Sequence, residues 1–262
     1  MTQSKEKPKT KSPLVVRDLS LAIGGTPILK HVNVELPVNK ITCIIGPSGC
    51  GKSTLLKTLN RLIDQNEDVS ISGQVLLDGQ DIIAASGSEL IDLRRRIGLV
   101  PQQPTPLPMS IYDNVAYGCR IHRMCRVGRQ MHARVLRYLR AVGLVDEVKG
   151  KIRTSASRLS IGQQQRLCLA RSLAVEPEFI LADEVTSALD PISSRTVEDL
   201  FVKLKQDYSI VMVTHTLSQA QRIADHVVFI YMGEVIETGS AEQVFSNPQH
   251  ELTQKYLKGI FS

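Results

Sequence analysis

Hydrophobic and polar positions alternate in two stretches of the first third of the chain. The alternation over residues 14–36 is interrupted by GGTP at 24–27, which predicts two antiparallel strands joined by a turn. VLLDGQDI at 75–82 carries Asp78 and Gly79 at its centre and predicts a second hairpin. We therefore expect an antiparallel β subdomain.

Short, continuously apolar runs predict buried strands elsewhere. ITCIIG at 41–46 ends in glycine and is followed by leucines at helical spacing. Three further runs are separated by helical segments: FILA at 179–182, SIVMV at 209–213 and HVVFIY at 226–231. Strands that alternate with helices form β-α-β units, so the predicted fold class is α/β with a largely parallel sheet.

The region from about 103 to 163 does not show this alternation of strands and helices. Met131, Val135 and Tyr138 recur on one side of a helix whose other side carries arginines, and no strand pattern intervenes. We predict a single domain at residues 13–262 with a helical subdomain in this region. The lysine-rich residues 1–12 are expected to form a disordered basic tail.

The composition narrows the class of protein. Hydrophobic residues make up 42% of the 262, whereas aromatic residues are 4% and tryptophan is absent, which argues against stacking platforms for single-stranded nucleic acid. No apolar run reaches the roughly 20 residues that cross a bilayer, and no signal peptide is recognised, so we expect a cytosolic chain. Five scattered cysteines without a C-x-x-C pair indicate neither a zinc site nor a disulfide framework.

Positive charge is concentrated in one part of the chain. The net charge is +6, and ten arginines lie between Arg94 and Arg140 against a single acid, Asp113. Such a sector could meet an acidic partner, nucleic acid or anionic lipid. For any one of these arginines, a solvated position that aids solubility is an equal alternative.

The motif with the most specific chemistry is GPSGCGKST. It matches G-x-x-x-x-G-K-S in full and stands between a predicted strand and a predicted helix, which is the context of a phosphate-binding loop. Its glycines let backbone N–H groups converge on phosphate oxygens at a helix N-terminus. Lys52 would bridge the β- and γ-phosphates of a nucleotide, and Ser53 would hold Mg²⁺. The predicted nucleotide-binding residues are Gly46, Pro47, Ser48, Gly49, Cys50, Gly51, Lys52, Ser53 and Thr54.

Two adjacent carboxylates follow the apolar strand FILA. A buried strand that delivers Asp183 and Glu184 at its carboxyl edge would place them beside the phosphate site. Asp183 would then orient Mg²⁺, and Glu184 would polarise the attacking water. An acidic pair in this position is more often a helix start when no phosphate loop accompanies it.

The stretch RLSIGQQQRLCLARSL at 158–173 offers a second helix start for phosphate. Ser160 precedes a long helical pattern, and Gly162 leaves backbone exposed. This helix start cannot serve the nucleotide of the first loop unless it closes over that nucleotide.

With these residues in view, the sequence resembles the ATP-binding cassette ATPases. LSIGQ at 159–163 is similar to the signature of that family, Gln102 in VPQQPTP to its Q-loop, SALDP at 187–191 to its D-loop, and His215 to its switch histidine. These motifs follow the order and spacing of the family from about residue 14 to 247.

The resemblance implies a homodimer that encloses two ATP molecules, each held by the phosphate loop of one copy and the signature of the other. The signature residues it implies are Ser160, Gly162 and Gln163. It implies that His215 reaches the γ-phosphate, that Gln102 touches Mg²⁺ or water, and that Asp190 positions the loop of the partner. The implied catalytic set is Lys52, Gln102, Glu184 and His215.

Three positions depart from the common form of the family. Ile161 stands where the signature usually has glycine, and Val185 follows the candidate base where proline is usual. Ile23 lies where an aromatic ring normally stacks on adenine, so it would still contact the base but without an aromatic face. We expect ATP binding to survive these changes and discrimination between bases to weaken.

A longer resemblance concerns what the ATPase drives. PTPLPMSIYDNVAYG at 104–118, RRRIGLV before it and an ending of the type Y-x-x-G-x-F look like the ATP-binding subunits of bacterial phosphate importers, although Pro101 replaces their usual phenylalanine. That resemblance implies two membrane permease subunits docked at this segment and a phosphate-binding protein outside. It also implies a peripheral position on the cytoplasmic face of the membrane.

Two other functions compete with this interpretation. The same ATPase could drive import of another oxyanion or of a polar amino acid. A soluble ATP-dependent clamp or regulatory module acting on nucleic acid through the arginine-rich sector is less favoured, because the chain lacks long extensions or a second cassette. We therefore expect no nucleic-acid partner.

Overall fold

A computed structural model describes residues 12–126 and 128–260 of the chain. The first sheet is antiparallel and has the strand order β2-β1-β4-β5. Its strands are β1 (Leu14–Ile23), β2 (Thr26–Leu36), β4 (Val69–Leu77) and β5 (Gln80–Asp81). Both hairpins predicted from alternation are confirmed, with turns at residues 24–25 and 78–79.

The second sheet has six strands in the order β10-β9-β3-β8-β7-β6. Its strands are β3 (Ile41–Ile45), β6 (Ile97–Val100), β7 (Phe179–Asp183), β8 (Ser209–Val213), β9 (His226–Tyr231) and β10 (Glu234–Ser240). All pairings are parallel except that of β10 with β9. The predicted α/β class with a largely parallel sheet is thus confirmed.

Helices connect the parallel strands and cover the sheet. In chain order they are α1 (Lys52–Leu59), α2 (Gly87–Arg96), α3 (Ile111–Ile121), α4 (Arg129–Ala141), α5 (Ile161–Leu173), α6 (Pro191–Leu204), α7 (Leu217–Ile223), α8 (Ala241–Ser246) and α9 (Glu251–Leu257). Two short 3₁₀ turns lie at Leu62–Gln65 and Ala156–Arg158. Within the described residues, no helix combines the length and the apolar character that crossing a bilayer requires.

The central strand β3 shows how the layers are divided. Ile41, Cys43 and Ile45 belong to a core formed with the helices, whereas Ile44 belongs to a second core formed with α1 and the antiparallel sheet. This division follows from the two-residue period of a strand, since successive side chains point to opposite faces. A strand buried on both sides is therefore largely apolar, and in ITCII four of the five residues are apolar, with Thr42 as the buried exception.

The helical region contains α3, α4 and the start of α5. The apolar side of α4 predicted from its spacing is buried, as shown by Met131, Val135 and Tyr138. An isolated antiparallel β-bridge joins Ser110, just before α3, to Ser155. The predicted boundaries of the helical subdomain at about 103–163, and of the whole domain at 13–262, remain predictions. The expected tail at residues 1–12 falls outside the described residues except for its last position.

Four elements were not predicted from the pattern: α2, β6, β10 and α9. IGLV is only four residues long and is preceded by three arginines, so its apolar signal is weak. Pairing with β7 nevertheless orders it as β6 at the edge of the sheet. This strand is important for the site because Gln102 lies two residues after it.

Candidate active site

The phosphate loop lies between β3 and α1, as the motif predicts. Gly51 is the N-cap of α1 and has φ 103°, a conformation that side-chain-bearing residues rarely adopt. A Cβ atom on Gly46 would lie 2.1 Å from the carbonyl oxygen of Ile230, so only glycine fits there. The loop therefore presents backbone N–H groups at the N-terminus of α1, where an anion is favoured.

Lys52 lies inside the curve of this loop. It is only 5% exposed, and its Nζ donates to the carbonyl oxygens of Gly46 and Pro47 at 2.7 Å each. The ammonium is thus already held where the loop would receive phosphate oxygens. Cys50 turns its thiol inward, and burial raises the pKa of that thiol. The side chain of Cys50 therefore packs as a neutral group.

Ser53 and Asp183 form an oxygen pair next to the loop. The Ser53 hydroxyl donates to Oδ1 of Asp183 at 2.7 Å, and Asp183 is 7% exposed at the end of β7. Hydroxyl and carboxylate oxygens are ligands that Mg²⁺ prefers, and this ion is commonly bound by few protein groups together with phosphate. The donor set fits the Mg²⁺ predicted from the sequence.

Strand register brings three predicted catalytic side chains together. Val100 of β6 pairs with Ala182 of β7, which places Gln102 opposite Glu184. Nε2 of Gln102 lies 3.2 Å from Oε2 of Glu184, and Nδ1 of His215 lies 3.3 Å from the same oxygen. The side chains of Glu184 and His215 are 21% and 54% exposed, so both can reach a ligand.

Glu184 is held in an unusual backbone conformation. Its φ of 46° lies in the left-handed region, and its N–H donates to the carbonyl of Val213 at 3.1 Å. A non-glycine residue in this region costs free energy and persists only where its surroundings enforce it. Such positions are frequent at active sites, so the geometry supports Glu184 as a functional residue.

The signature region begins α5 with a complete capping box. Oγ of Ser160 accepts from the N–H of Gln163 at 3.3 Å, and Oε1 of Gln163 accepts from the N–H of Ser160 at 3.0 Å. Nε2 of Gln163 also donates to Glu147 at 2.8 Å. Gln163 thus fixes the helix start, while Ser160 and the departing residue Ile161 are exposed.

Glu147 supports this helix start from the helical region. Arg166 donates to both of its oxygens, at 2.7 and 3.0 Å. This hydrogen bonding, with that of Gln163, holds the pKa of Glu147 below its ordinary value of 4.5. A carboxylate with a lowered pKa stabilises the fold above its ordinary pKa and loses that contribution as pH falls through the folded pKa.

Replacement of Glu147 by glutamine should therefore lower the free energy of unfolding in a pH-dependent way. At neutral pH we expect a loss below about 1 kcal/mol, because the carboxylate is partly exposed to solvent. The difference from wild type should shrink as the pH falls below 4.5. Urea unfolding of both proteins across this range measures it, and a difference independent of pH would contradict the assignment.

Gly162, near the start of α5, packs against Ser193, near the start of α6. A Cβ atom on Gly162 would lie 3.3 Å from Oγ of Ser193, so the two helix starts are closely packed. Asp190 caps α6 by accepting from the N–H groups of Ile192 and Ser193. Within the described residues, the side-chain hydrogen bonds of Ser160, Gln163 and Gln164 go to the segment itself and to Glu147, not to the phosphate loop. The function of Asp190 across a dimer remains a prediction.

Ile23 lies at the end of β1, paired with Thr26 and Val69. Its side chain is partly buried against the core shared with α1. Its contact with adenine remains a prediction. A hollow beside the phosphate loop was not predicted; it is lined by Pro27, Ile28, Lys30, Pro47, Ser48, Gly49, Cys50, Tyr231, Met232 and Gly233.

The sequence also missed Thr186 and Gln219. Both line a polar cavity that Glu184 and His215 share, and their side chains are hydrogen-bonded to each other. Gln219 belongs to none of the motifs identified from the sequence, and Thr186 stands between Glu184 and SALDP at a position to which no function was assigned. They are found only when α7 is packed against the turn that follows β7.

The site combines a strand, a glycine-rich loop and a helix that together hold a lysine for phosphate. A carboxylate lies opposite them at the edge of the sheet. This arrangement defines the class of phosphate-loop nucleoside triphosphatases. Comparison with known proteins refines this class. Residues 29–187 match the family model described as ABC transporter. The chain therefore belongs to the ABC transporter family.

Curated relatives extend the similarity over nearly the whole chain. The chain is 52% identical over 246 residues to "Phosphate import ATP-binding protein PstB 3" of Streptococcus pneumoniae, covering 94% of this chain and 98% of that protein. It is 47% identical over 247 residues to "Phosphate import ATP-binding protein PstB" of Pyrobaculum aerophilum, with the same shares. ATP-binding proteins of this family are thus its relatives in both organisms.

Solved structures agree on the fold. CbiO1 of Clostridium perfringens, part of the ABC transporter complex CbiONQ, superposes with a TM-score of 0.77 at 28% identity, covering 94% of this chain and 95% of CbiO1. A bacterial Atm1-family ABC exporter with ATP bound superposes with a TM-score of 0.78 at 23% identity, covering 97% of this chain and 43% of the exporter. The second similarity supports the fold alone.

Proposed function

We propose that this chain is the ATP-hydrolysing subunit of an importer of inorganic phosphate, and that two copies act together beneath two membrane permease subunits. The observation that carries the ATPase is the convergence of Gln102, Glu184 and His215 at the sheet edge that also holds the phosphate loop. The relatives of nearly equal length that are named for phosphate import support the substrate.

In this proposal each side chain of the site has one task. Lys52 exchanges its bonds to loop carbonyls for bonds to the β- and γ-phosphates, and the N-terminus of α1 stabilises their charge. Ser53 and Asp183 would hold Mg²⁺, Gln102 would touch the ion or water, and the ion would supply charge neutralisation for phosphoryl transfer. Glu184 accepts a proton from the attacking water, and His215 keeps Glu184 and the γ-phosphate in register.

The start of α5 is the part of the site through which ATP binding would close the dimer. Ser160 and the backbone near Gly162 would bind the γ-phosphate held by the partner copy, since Ser160 is exposed at the start of α5. Two such contacts close a homodimer around two ATP molecules. Cleavage removes the γ-phosphate and with it the charge-assisted bonds that hold the dimer closed.

Segment 104–118 is suited to pass this motion to a permease. Arg171 of α5 donates to the carbonyl of Thr105 at 3.0 Å, and Gln165 of α5 donates to that of Pro101 at 3.1 Å. The buried Asn114 holds both backbone groups of Leu107. The segment is therefore tied to the helix that begins with the signature, so displacement of one should move the other.

Reconstitution tests the proposal as a whole. The chain is purified from membranes with its permease, placed in vesicles with an external phosphate-binding protein, and supplied with ATP on the cytoplasmic side. Accumulation of inorganic phosphate that depends on ATP supports the proposal. ATP-dependent accumulation of another oxyanion or a polar amino acid instead would replace the substrate, and salt-sensitive nucleic-acid binding without a permease would replace the function.

Ile23 leads to a prediction about base discrimination. If Ile23 contacts the base, ATP should be preferred over GTP only weakly, because an aliphatic side chain lacks the stacking worth about 1 kcal/mol for an aromatic pair. The Ile23→Tyr variant should tighten ATP binding by roughly fivefold on the same scale. Fluorescence titration with both nucleotides measures these affinities. A strong preference of the wild type for ATP would contradict the idea.

A further inference from the structure

A series of hydrogen-bonded polar side chains, two of them buried, leads away from the turn that carries Glu184. Nε2 of Gln219, on α7, donates to Oγ1 of Thr186 at 2.8 Å and is 3.0 Å from Oε1 of Glu198, on α6. Gln219 and Glu198 are each 4% exposed. Buried polar groups are costly unless they are hydrogen-bonded, so the geometry of this series is tightly specified.

The far end of the series is an ion pair. Arg222 of α7 donates to both carboxylate oxygens of Glu198, at distances of 2.8 to 3.1 Å. This fork compensates the buried charge of Glu198 and fixes its orientation. Glu198 and Arg222 therefore form a rigid support, and Gln219 connects that support to Thr186.

The near end of the series is the turn that carries Glu184. The N–H of Ser187 donates to the carbonyl of Glu184 at 3.0 Å, and the N–H of Leu189 donates to that of Thr186 at 3.1 Å. Val185, where the family usually has proline, is buried. Proline would fix its own φ, whereas valine does not, so the turn depends more on side-chain anchors to hold the left-handed Glu184.

We propose that Gln219 and Thr186 are positioning residues for ATP hydrolysis: their hydrogen bond locks the turn of Glu184 to α7, the helix that begins two residues after His215. This inference rests on the proposed roles of Glu184 and His215. Gln219 thereby fixes the position of Glu184 relative to His215. The 3.3 Å contact between these two side chains is then maintained when the γ-phosphate binds. The hydroxyl of Thr186 acts on the reaction through Glu184 and does not touch the nucleotide.

A purely structural function makes a different prediction. If the bond only stabilised the fold, its loss would lower the melting temperature and leave the kcat of the folded protein unchanged. If it positions Glu184, its loss lowers kcat while the affinity for ATP, set by the phosphate loop, is retained. The ratio of kcat to KM effects therefore separates the two functions.

The test uses the chain with its permease and matched substitutions. Thr186→Val keeps the shape of the side chain and removes the hydroxyl, and we expect kcat to fall about tenfold with KM for ATP within about twofold of wild type. Thr186→Ser keeps the hydroxyl and should restore most of kcat. Thr238→Val, on the exposed edge strand β10, makes the same change away from the site and should leave kcat unchanged.

A second variant protects the test against misfolding. Gln219→Met removes the same bond from the other side, together with the bond of Gln219 to Glu198. Adding Thr186→Val to Gln219→Met should therefore slow hydrolysis no further, because Thr186 has already lost its partner. Wild-type kcat in Thr186→Val, no rescue by serine, or additive effects in the double variant would each overturn the proposal. Glu184→Gln is measured in parallel: if it hydrolyses ATP normally, the proposed function of the site fails as well, whereas its failure to hydrolyse leaves only the positioning residues in question.

Discussion

Replacing Glu184 with glutamine is expected to reduce ATP hydrolysis by roughly 10²–10⁴-fold, the contribution of a positioned general base. Glutamine has the same shape and still reaches Gln102 and His215, but its amide cannot accept the proton of the attacking water. Lys52 and the backbone of the phosphate loop are unchanged, so ATP should still bind. The variant should therefore accumulate as an ATP-bound closed dimer.

Two measurements check this expectation. Steady-state phosphate release reports the loss of turnover, and size-exclusion chromatography with ATP and Mg²⁺ reports the closed dimer. Glu242→Gln, on the exposed surface of α8, makes the same substitution away from the site and should match the wild type. Undiminished hydrolysis by Glu184→Gln would argue strongly against Glu184 as the base.

The acidic residues at the sheet edge could be predicted because they come directly after a recognisable buried strand. Parallel strands with continuous apolar sequences must lie side by side, and residues just beyond their carboxyl ends then converge. That reasoning placed Asp183 and Glu184 beside the phosphate loop, and in the structure the hydroxyl of Ser53, at the end of that loop, donates to Asp183. The position of Gln102 needed β6, whose four-residue pattern is too short to be recognised alone.

Contacts between distant helices left no pattern in the sequence. Gln219 and Glu198 lie on α7 and α6 and meet only because both helices pack against the turn after β7. In the same way, Glu147 reaches the signature helix from the helical region. Polar residues on helices are usually read as solvent-facing, and only the packing shows that these are buried or paired. Residues that face the ligand can therefore be identified from the sequence more readily than the residues that position them.

Ser160→Arg is expected to abolish closure of the dimer while each copy still binds ATP. The bulky side chain would occupy the exposed helix start that should meet the γ-phosphate of the partner, whereas the phosphate loop of the same chain is not altered. Hydrolysis should fall by about 100-fold or more, the size of effect seen when preorganised donors are lost from a transition state. Combined with Glu184→Gln, it should prevent the ATP-bound dimer from accumulating.

The substitution also removes a helix cap, which costs about 1 kcal/mol and could lower activity by itself. The chain contains its own control for that effect, because Ser240 caps α8 through the N–H of Gln243 in the same Ser-x-x-Gln spacing. Ser240→Arg should lose comparable stability and keep both dimer closure and hydrolysis. If Ser160→Arg instead closed normally with ATP, the shared-nucleotide arrangement would be wrong, because a helix start blocked by an arginine could not be part of the partner's site.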